Sequence, residues 1–552
     1  RKRQCCGTDR DDSGGIGILL MKNMSIIANI VAEGVAREPD LDVLTFVDGE
    51  REEVRTYQQL WDNSQRIALS LKESGIHTGD RIGLLMQNHP EFVETMIAAA
   101  ILGAVLVPID PRTRGEKLTF MLNDASCLGV VCADYTLPAL LECVGAVPSL
   151  VFAYVVGENW LAGNSSSITP VSMADALATA LPEIELEVMA KDDAAPMQIM
   201  YTSGTTGDPK GVIVRHGRFG FVANQGQAVF GYTQQDRPYT GLSLTHGNAQ
   251  FLTLAPSLKM GLRAVISRRF TKSRLWDIVR HYGCTTFSLL GGMVTAIYSE
   301  PQRANDDDNP VRLVISAGMP AVLWSDFARR FGVDIFEFYG AMEGGMTINP
   351  PGVGPIGSCG RAPSVLKAIV VDEQGNEVPP GVPGEIWFRP ADGSPAVVDY
   401  FNNAQASAAK VEGGWLRTGD VVTMDADGWV FYQHRKGGGI RHNGDFINPG
   451  FVEKVVAEHP DVSDVAAYGI PAASGAPGES DIVIAVVPGK ADGFDPQSVF
   501  AWCRGRLENN MIPEFIHVME ELPKTATEKV QPRFLVEKFK AGLDPIYRDR
   551  IG

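Results

Sequence analysis

The sequence has no long apolar run, few cysteines and a deficit of basic residues. No apolar stretch reaches the roughly 18 residues that a membrane-spanning helix needs, so we expect a soluble, cytoplasmic protein. The 8 cysteines form no CxxC pair and no cluster with histidine, which disfavours a zinc site and favours a reducing compartment. With 49 Lys and Arg against 66 Asp and Glu, the net charge of −17 argues against a nucleic-acid partner. A site for an anionic nucleotide must therefore concentrate its cations locally.

The length of 552 residues implies about two to four globular units. A hydrophobic content of 45% and a charged content of 21% are ordinary for folded domains. Residues 1–23 place basic residues, an acidic polar patch and a short apolar run in succession, and that apolar run is too short for a signal peptide. We expect this segment to be an extension outside the fold, with Met24 as a natural start.

Strand and helix patterns alternate through most of the chain. Strand-like Arg81–Met86 and Ala104–Pro108 flank a helical pattern that begins at Pro90. This order predicts mostly parallel sheets covered by helices, that is, an α/β fold. A similar pattern after residue 211 predicts a second α/β subdomain.

Two changes of pattern predict the domain boundaries. From about residue 364, short alternating strands broken by turns predict a β-rich subdomain that ends near residue 436. We therefore expect an N-terminal domain over residues 24–436. The glycines Gly437–Gly439 predict a flexible link to a small, mobile α+β C-terminal domain, residues 437–552.

The stretch YTSGTTGDPKG, residues 201–211, combines small and hydroxyl side chains with a lysine. Small residues let a backbone approach a ligand closely, and hydroxyl and amide groups are donors for phosphate oxygens. The alternative is a Ser/Gly-rich surface hairpin between two strands. The stretch is not a P-loop, because no Gly-Lys-Ser/Thr closes it at Walker spacing. The candidate phosphate-binding residues are Thr202, Ser203, Gly204, Thr205, Thr206, Gly207 and Lys210.

A second stretch, Phe338–Gly344, reads FYGAMEG. An aromatic ring beside a glycine can cover a purine, and a carboxylate that follows can hold Mg²⁺ against phosphates. A tyrosine beside a glycine is otherwise typical of a packed strand end. Taken with residues 201–211, this stretch resembles the motifs of the adenylate-forming superfamily, which comprises acyl-CoA synthetases, adenylation domains of peptide synthetases and luciferases. The resemblance extends in motif order over nearly the whole chain after Met24.

The resemblance implies a nucleotide site. Tyr339 and Gly340 would cover one face of the adenine, and the strand-to-helix turn of Ser316, Ala317 and Gly318 would form the other wall. Asp420, at the end of WLRTGD, would accept hydrogen bonds from the ribose hydroxyls, and Arg435 would also reach the ribose. Glu343 would bind Mg²⁺.

The resemblance also implies residues for catalysis and for the acyl substrate. Lys529, in the loop LPKTATEKVQ, would contact the carboxylate and the α-phosphate, although two lysines in such a loop otherwise indicate a solvated surface. His246 would guard the acyl pocket, whereas a lone histidine is more often structural. Gly291 and Gly292 would shape that pocket or simply end a strand. Arg441 and Gly444 would face the thiol donor after the domain rotates.

Four positions depart from the family pattern. Met342 stands where a threonine is usual, and this removes a hydroxyl near the α-phosphate. Gly437 and Gly438 replace a lysine and the usual hinge aspartate. Glu528 replaces the glycine before Lys529, so the geometry of that loop is open.

The implied function is ATP-dependent ligation of a carboxylate to CoA through an acyl-adenylate, with Mg²⁺ as cofactor and release of pyrophosphate and then AMP. One alternative is a ligase that loads a phosphopantetheine carrier protein, and another is a catalytically silent family member. The expected partners are a small carboxylic acid and CoA, without nucleic acid, and a homodimer is compatible with the sequence.

Overall fold

The computed structural model describes ten stretches of the chain: residues 23–160, 168–202, 209–436, 440–442, 445–447, 449–473, 480–489, 493–507, 511–525 and 528–549. Four predicted features lie outside the described residues: the extension at residues 1–22, the glycine link, Gly444 and Ser203–Gly207. The last of these belong to the predicted phosphate-binding stretch, residues 202–210, which we call the cradle. Asn23, which we expected outside the fold, is joined to it, because its side-chain amide donates to the Asp193 carboxylate at 2.5 Å and to the Lys191 carbonyl at 3.3 Å.

The helices, in chain order, are α1 (Ile27–Arg37), α2 (Tyr57–Glu73), α3 (Pro90–Leu102), α4 (Gly115–Asp124), α5 (Leu137–Cys143), α6 (Met173–Ala178), α7 (His216–Asn224), α8 (Gly226–Phe230), α9 (Ala255–Met260), α10 (Leu275–Tyr282), α11 (Gly291–Tyr298), α12 (Ala321–Phe331), α13 (Ala404–Ala409), α14 (Pro449–Ala457), α15 (Pro496–Arg504) and α16 (Pro532–Ala541). A short 3₁₀ turn covers Val144–Ala146, and a π-helical turn covers Ala249–Leu254.

The strands are β1 (Asp42–Asp48), β2 (Arg51–Thr56), β3 (Arg81–Leu85), β4 (Val105–Ile109), β5 (Gly129–Ala133), β6 (Phe152–Val156), β7 (Thr169–Ser172), β8 (Pro196–Thr202), β9 (Lys210–Arg215), β10 (Pro238–Thr240), β11 (Ala264–Ser267), β12 (Thr286–Leu290), β13 (Leu313–Ala317), β14 (Asp334–Ala341), β15 (Gly344–Asn349), β16 (Leu366–Val371), β17 (Gly384–Pro390), β18 (Val411–Glu412), β19 (Trp415–Met424), β20 (Val430–Arg435), β21 (Ile440–His442), β22 (Asp445–Ile447), β23 (Val462–Pro471), β24 (Ser480–Pro488), β25 (Phe515–Val518) and β26 (Ile546–Arg548).

Two largely parallel sheets form the first part of the chain. The first has the strand order β7-β6-β5-β3-β4-β8-β9 and is parallel except for the β8–β9 pair. The second has the order β15-β14-β13-β12-β10-β11-β1-β2, with antiparallel pairs at its two edges, β1–β2 and β14–β15. This confirms the α/β prediction.

A shared helix layer joins these two sheets. The helix α3 begins with Pro90 at its first turn and ends at Gly103, which has φ 68°. Nearly all of its residues are buried, so it is apolar on every side rather than amphipathic. One continuous hydrophobic core runs from Ile82 on β3 through this helix to Leu44 on β1.

The remaining sheets are smaller. The predicted β-rich subdomain is an antiparallel sheet with the order β16-β17-β19-β18, and β20 pairs with β19. The C-terminal unit contains the four-stranded sheet β23-β24-β25-β26 with its own two hydrophobic clusters. It contacts the rest of the chain through Lys272 Nζ, which donates to the Ser463 carbonyl at 3.2 Å, and Lys454 Nζ, which donates to the Val322 carbonyl at 3.3 Å.

Parallel strands bring the loops of interest together. The segments that follow β8, β10, β12, β13 and β14 all leave the carboxyl ends of their strands. In open α/β sheets, ligands bind at this edge. The sheet topology therefore places Thr202, the His246 loop, Gly291, Ser316–Gly318 and the Tyr339 stretch at or after the carboxyl ends of their strands.

Candidate active site

The described flanks of the cradle form an antiparallel hairpin. Thr202, the last residue of β8, pairs with Lys210, the first residue of β9, and its hydroxyl donates to the Lys210 carbonyl at 3.4 Å. Lys210 Nζ lies 5.5 Å from the centroid of the Tyr400 ring. The segment that carries Tyr400 is fixed to β9, because the Phe401 amide donates to the Gly211 carbonyl at 2.8 Å. The hairpin thus presents the lysine beside a buried tyrosine.

The turn after β13 is hydrogen-bonded to a buried carboxyl group. Glu337 on β14 accepts hydrogen bonds from the Gly318 amide at 2.6 Å and from the Met319 amide at 3.1 Å. Gly318 has φ +104°, and Gly291 lies against it so closely that a Cβ there would be 2.8 Å from the Gly318 carbonyl oxygen. Complete burial raises the pKa of Glu337 to about 8, against the opposing effect of the two amides. Gly291 therefore serves a close backbone approach, which any side chain would prevent.

Tyr339, Asp420 and Arg435 lie together. Tyr339 donates its hydroxyl hydrogen to Asp420 Oδ2 at 2.6 Å, and its ring stacks on Phe388 with centroids 6.1 Å apart and planes at 15°. Asp420 on β19 pairs in register with Arg435 on β20, whose guanidinium donates to Asp420 Oδ1 at 3.3 Å. The Asp420 carboxylate is only 5% exposed, and its remaining lone pairs can accept hydrogen bonds from hydroxyl groups.

Glu343 lies in the turn between β14 and β15. Its Oε1 accepts a hydrogen bond from the Tyr400 hydroxyl at 2.7 Å. The described residues contain no cluster of three or more His, Cys, Asp or Glu that could hold a metal ion. A single carboxylate nevertheless fits Mg²⁺, which commonly binds one or two carboxylates together with substrate phosphates. The residues present therefore fit the expected cation.

Lys529 is presented by a hairpin loop of the C-terminal unit. The Thr525 amide donates to the Lys529 carbonyl at 2.8 Å, and the Lys529 amide donates to the Thr525 hydroxyl at 3.2 Å. The side chain is exposed, yet desolvation by nearby protein atoms lowers the pKa of its ammonium group; the Arg435 cation acts in the same direction, and Asp420 opposes it. Lys529 is therefore within electrostatic range of Arg435 and Asp420.

Glu528, the departure beside this lysine, has φ +58°. This is the left-handed region that a glycine would adopt without cost. Glu528 therefore holds a backbone conformation that suits glycine, at the expense of backbone strain. The Glu528 carboxylate lies 3.9 Å from Lys524 Nζ, and Lys524 in turn forms an ion pair with Asp464.

His246 lies in the turn after β10, and its amide donates to the Ser243 carbonyl at 3.1 Å. Its Nε2 atom is buried and has no hydrogen-bond partner among the described residues. Burial lowers the pKa of His246 to about 4, so the imidazole is uncharged at neutral pH. Gly291 and Gly292 begin α11 after the strand β12, which is adjacent to β10. Arg441 lies on the short strand β21.

Three residues of this site escaped sequence reasoning. Glu337 is one of them, because its position opposite Ser316 follows from the β13–β14 register, which the sequence alone did not give. Tyr400 reaches Glu343 from a segment 57 positions away, and Arg218 donates to the carbonyls of Ala341 and Met342. Neither of these lies in a motif that the sequence would single out.

Comparison with known proteins identifies the family. Residues 31–393 match the AMP-binding enzyme family, and residues 452–529 match the AMP-binding enzyme C-terminal domain. The chain belongs to the AMP-binding enzyme family. This confirms the predicted superfamily and, with it, the predicted class of AMP-forming acid–thiol ligase.

Relatives of this family member match over most of their length. A steroid-22-oyl-CoA synthetase of Rhodococcus jostii is 28% identical over 520 residues, which cover 90% of each chain. A medium/long-chain-fatty-acid–CoA ligase, FadD17, of Mycobacterium marinum is 29% identical and covers 84% of this chain and 88% of its own. The crystal structure of the anthranilate CoA ligase AuaEII with anthranoyl-AMP has a TM-score of 0.80 at 24% identity, with coverage of 94% and 98%, which supports the fold.

Among the described residues, no helix is both long enough and apolar enough to cross a membrane.

Proposed function

We propose that this family member joins a carboxylic acid to CoA in two half-reactions, with an acyl-adenylate between them. The position of Lys529 carries the proposal. Lys529 lies on a loop of the C-terminal unit, within electrostatic range of Arg435 and Asp420, and Asp420 accepts a hydrogen bond from Tyr339. A cation delivered to a pocket that combines an aromatic ring and a buried carboxylate suits the α-phosphate of a bound nucleotide.

In the first half-reaction, a carboxylate oxygen of the acid attacks the α-phosphorus of ATP, an O–P bond forms, and pyrophosphate leaves. Lys529 would stabilise the negative charge that develops on the phosphorus oxygens, and Lys210 would hold the departing phosphates. Mg²⁺ at Glu343 would neutralise phosphate charge when bound. Tyr339 and the Gly318 turn would hold the adenine, while Asp420 and the remaining cradle residues fix the ribose and the phosphate chain.

In the second half-reaction, the thiol sulfur of CoA attacks the acyl carbonyl, and the C–O bond to AMP breaks. We expect the C-terminal unit to turn between the two steps, so that Lys529 withdraws and the surface near Arg441 faces the thiol. His246 would guard the acyl pocket. Because its imidazole is uncharged at neutral pH, it offers a neutral hydrogen-bonding atom to the substrate rather than a cation.

The proposal is tested by incubating the protein with ATP, Mg²⁺, free CoA and a panel of short, long, aromatic and steroid acids, with mass-spectrometric detection of products. We expect acyl-CoA and AMP from at least one acid. Pyrophosphate exchange into ATP without acyl-CoA would instead indicate a ligase that loads a carrier protein. Absence of both exchange and product across the panel would indicate a catalytically silent family member and contradict the proposal.

A further inference from the structure

Arg218 places a cation next to the turn that carries Glu343. It lies on α7, which follows the second strand of the cradle hairpin directly. Its guanidinium donates to the carbonyl of Ala341 at 3.0 Å and to the carbonyl of Met342. These are the two peptide groups immediately before Glu343. A bidentate guanidinium fixes two such oxygens together, which a lysine cannot do.

The surroundings of Arg218 are unusual for a buried cation. Its guanidinium carbon lies 5.5 Å from the centroid of the Phe251 ring. Within the part of the chain that the structure describes, no carboxylate forms an ion pair with it, and two carbonyl oxygens take that place. An arginine remains charged under these conditions, so its burial costs free energy. Such a cost is more often met at functional sites than elsewhere.

Glu343 is consequently fixed from two directions. Arg218 holds the backbone before it, and the Tyr400 hydroxyl holds its side chain at 2.7 Å. Met342, whose carbonyl accepts a hydrogen bond from Arg218, also has a packed side chain. A Cβ added at Gly247 would be 2.8 Å from Met342 Sδ, so Met342 packs against the loop that carries His246.

We propose that Arg218 is a positioning residue that presents Glu343 to the Mg²⁺ of Mg·ATP by holding the Ala341 and Met342 carbonyls. It contacts neither the substrate nor the cation itself and acts through the turn. This inference rests on the proposed function, because it assigns Glu343 to the cation. It adds a residue from outside the family motifs, and it explains how the turn is held although position 342 lacks the usual threonine.

The test compares Arg218→Met and Arg218→Lys with the matched control Arg237→Met. Arg237 donates to the carbonyls of Arg263 at 3.1 Å and Tyr282 at 2.8 Å and lies 5.7 Å from the Tyr282 ring, so it loses equivalent contacts away from the site. Mg²⁺-dependent ATP binding is measured by titration calorimetry without any acid. Pyrophosphate exchange is measured against Mg²⁺ concentration with an accepted acid.

We expect Arg218→Met to raise the half-saturating Mg²⁺ concentration about tenfold in both measurements, while Mg²⁺-independent AMP binding is unchanged. Arg218→Lys keeps the charge but not both carbonyl contacts, so we expect most of the same loss, and this variant decides the question if the methionine variant does not fold. Arg237→Met should keep the parent Mg²⁺ dependence.

Parent-like Mg²⁺ dependence of Arg218→Met, equal changes in Arg218→Met and Arg237→Met, or full rescue by lysine would overturn the positioning role. The calorimetric arm needs no turnover. It therefore separates failure of this inference from failure of the proposed ligase activity, which would leave exchange absent in the parent protein as well.

Discussion

The two ends of the candidate site are built differently. At the proposed adenosine end, Tyr339 and Arg435 lie on strands of adjoining sheets, and both donate hydrogen bonds to Asp420. At the transfer end, Lys529 is carried on an exposed hairpin loop of another unit, next to the strained residue Glu528. The first arrangement suits binding, because its geometry is fixed before a ligand arrives. The second suits a group that must act in one step and withdraw in the next.

Removal of the delivered lysine should have the largest effect. We expect Lys529→Ala to reduce acid-dependent pyrophosphate exchange about 10²–10³-fold, because it removes a cation aimed at the charge that develops in the transition state. Lys524→Ala is the matched control from the same loop, since Lys524 is paired with Asp464 rather than directed to the Asp420 pocket. A comparable loss in both variants would show that loop integrity, not the Lys529 charge, is what matters.

At the adenosine end, Asp420→Ala should weaken ATP binding about 10–100-fold, because it removes hydrogen bonds to a charged group and leaves Arg435 without its partner. The effect should fall on the KM for ATP, with little change in the KM for CoA. Steady-state kinetics measures both. Asp392→Ala is the control, because Asp392 is an exposed turn residue of the same subdomain whose carboxylate accepts a hydrogen bond from the Ser394 amide. An unchanged KM for ATP in Asp420→Ala would remove the carboxylate from the nucleotide site.

The buried Glu337 carboxyl group should make the free energy of unfolding depend on pH. Burial raises the pKa of Glu337 to about 8, above its unfolded value, so the folded state binds more protons than the unfolded state between about pH 4.5 and pH 8. The contribution of this group is therefore fully present below that window and is lost as the pH rises through it.

Urea unfolding at pH 6 and pH 8 tests this prediction. The free energy of unfolding of the parent protein should fall between these two values relative to that of Glu337→Gln, whose side chain does not titrate. Parallel pH dependence of the two proteins would contradict the assignment of a raised pKa to Glu337.

The smallest effect is expected at Glu528. Glu528→Gly should relieve the left-handed strain and stabilise the C-terminal unit by about 1 kcal/mol, partly offset by the greater freedom of glycine in the unfolded chain. Glu528→Ala is the control, because it removes the carboxylate near Lys524 but keeps the strained backbone. Thermal unfolding should rank the glycine variant above the alanine variant, and the reverse order would show that the carboxylate contact outweighs the strain.

Much of the adenosine end could be predicted from the sequence, because its residues stand in compact motifs. Tyr339 and Asp420 were found in this way, but their hydroxyl–carboxylate bond depends on the mutual position of two sheets, which no local pattern encodes. Glu337 illustrates the same limit, since its bonds to the Gly318 turn follow from strand register. Arg218 was missed because its partners are main-chain carbonyls more than a hundred positions away, and these have no sequence signature.

At the transfer end, the sequence indicated which residue to expect, Lys529, but not the backbone conformation beside it. Lys529 stands in a recognisable motif, yet the replacement of glycine by Glu528 left the loop geometry open. The structure gives φ +58° at this residue, so Glu528 itself adopts the left-handed conformation that a glycine would take without strain. A sequence pattern specifies which conformation is favoured, whereas the surrounding contacts decide whether a disfavoured one is maintained.

The most direct test of the difference between the two ends is the rate of each half-reaction in Lys529→Ala. The variant is given ATP and an accepted acid in one experiment, and chemically prepared acyl-AMP with CoA in another. If Lys529 is delivered for adenylation alone, acyl-AMP formation should be nearly lost, while thioester formation from supplied acyl-AMP stays within about twofold of the parent rate. An equal loss of both rates would contradict this assignment.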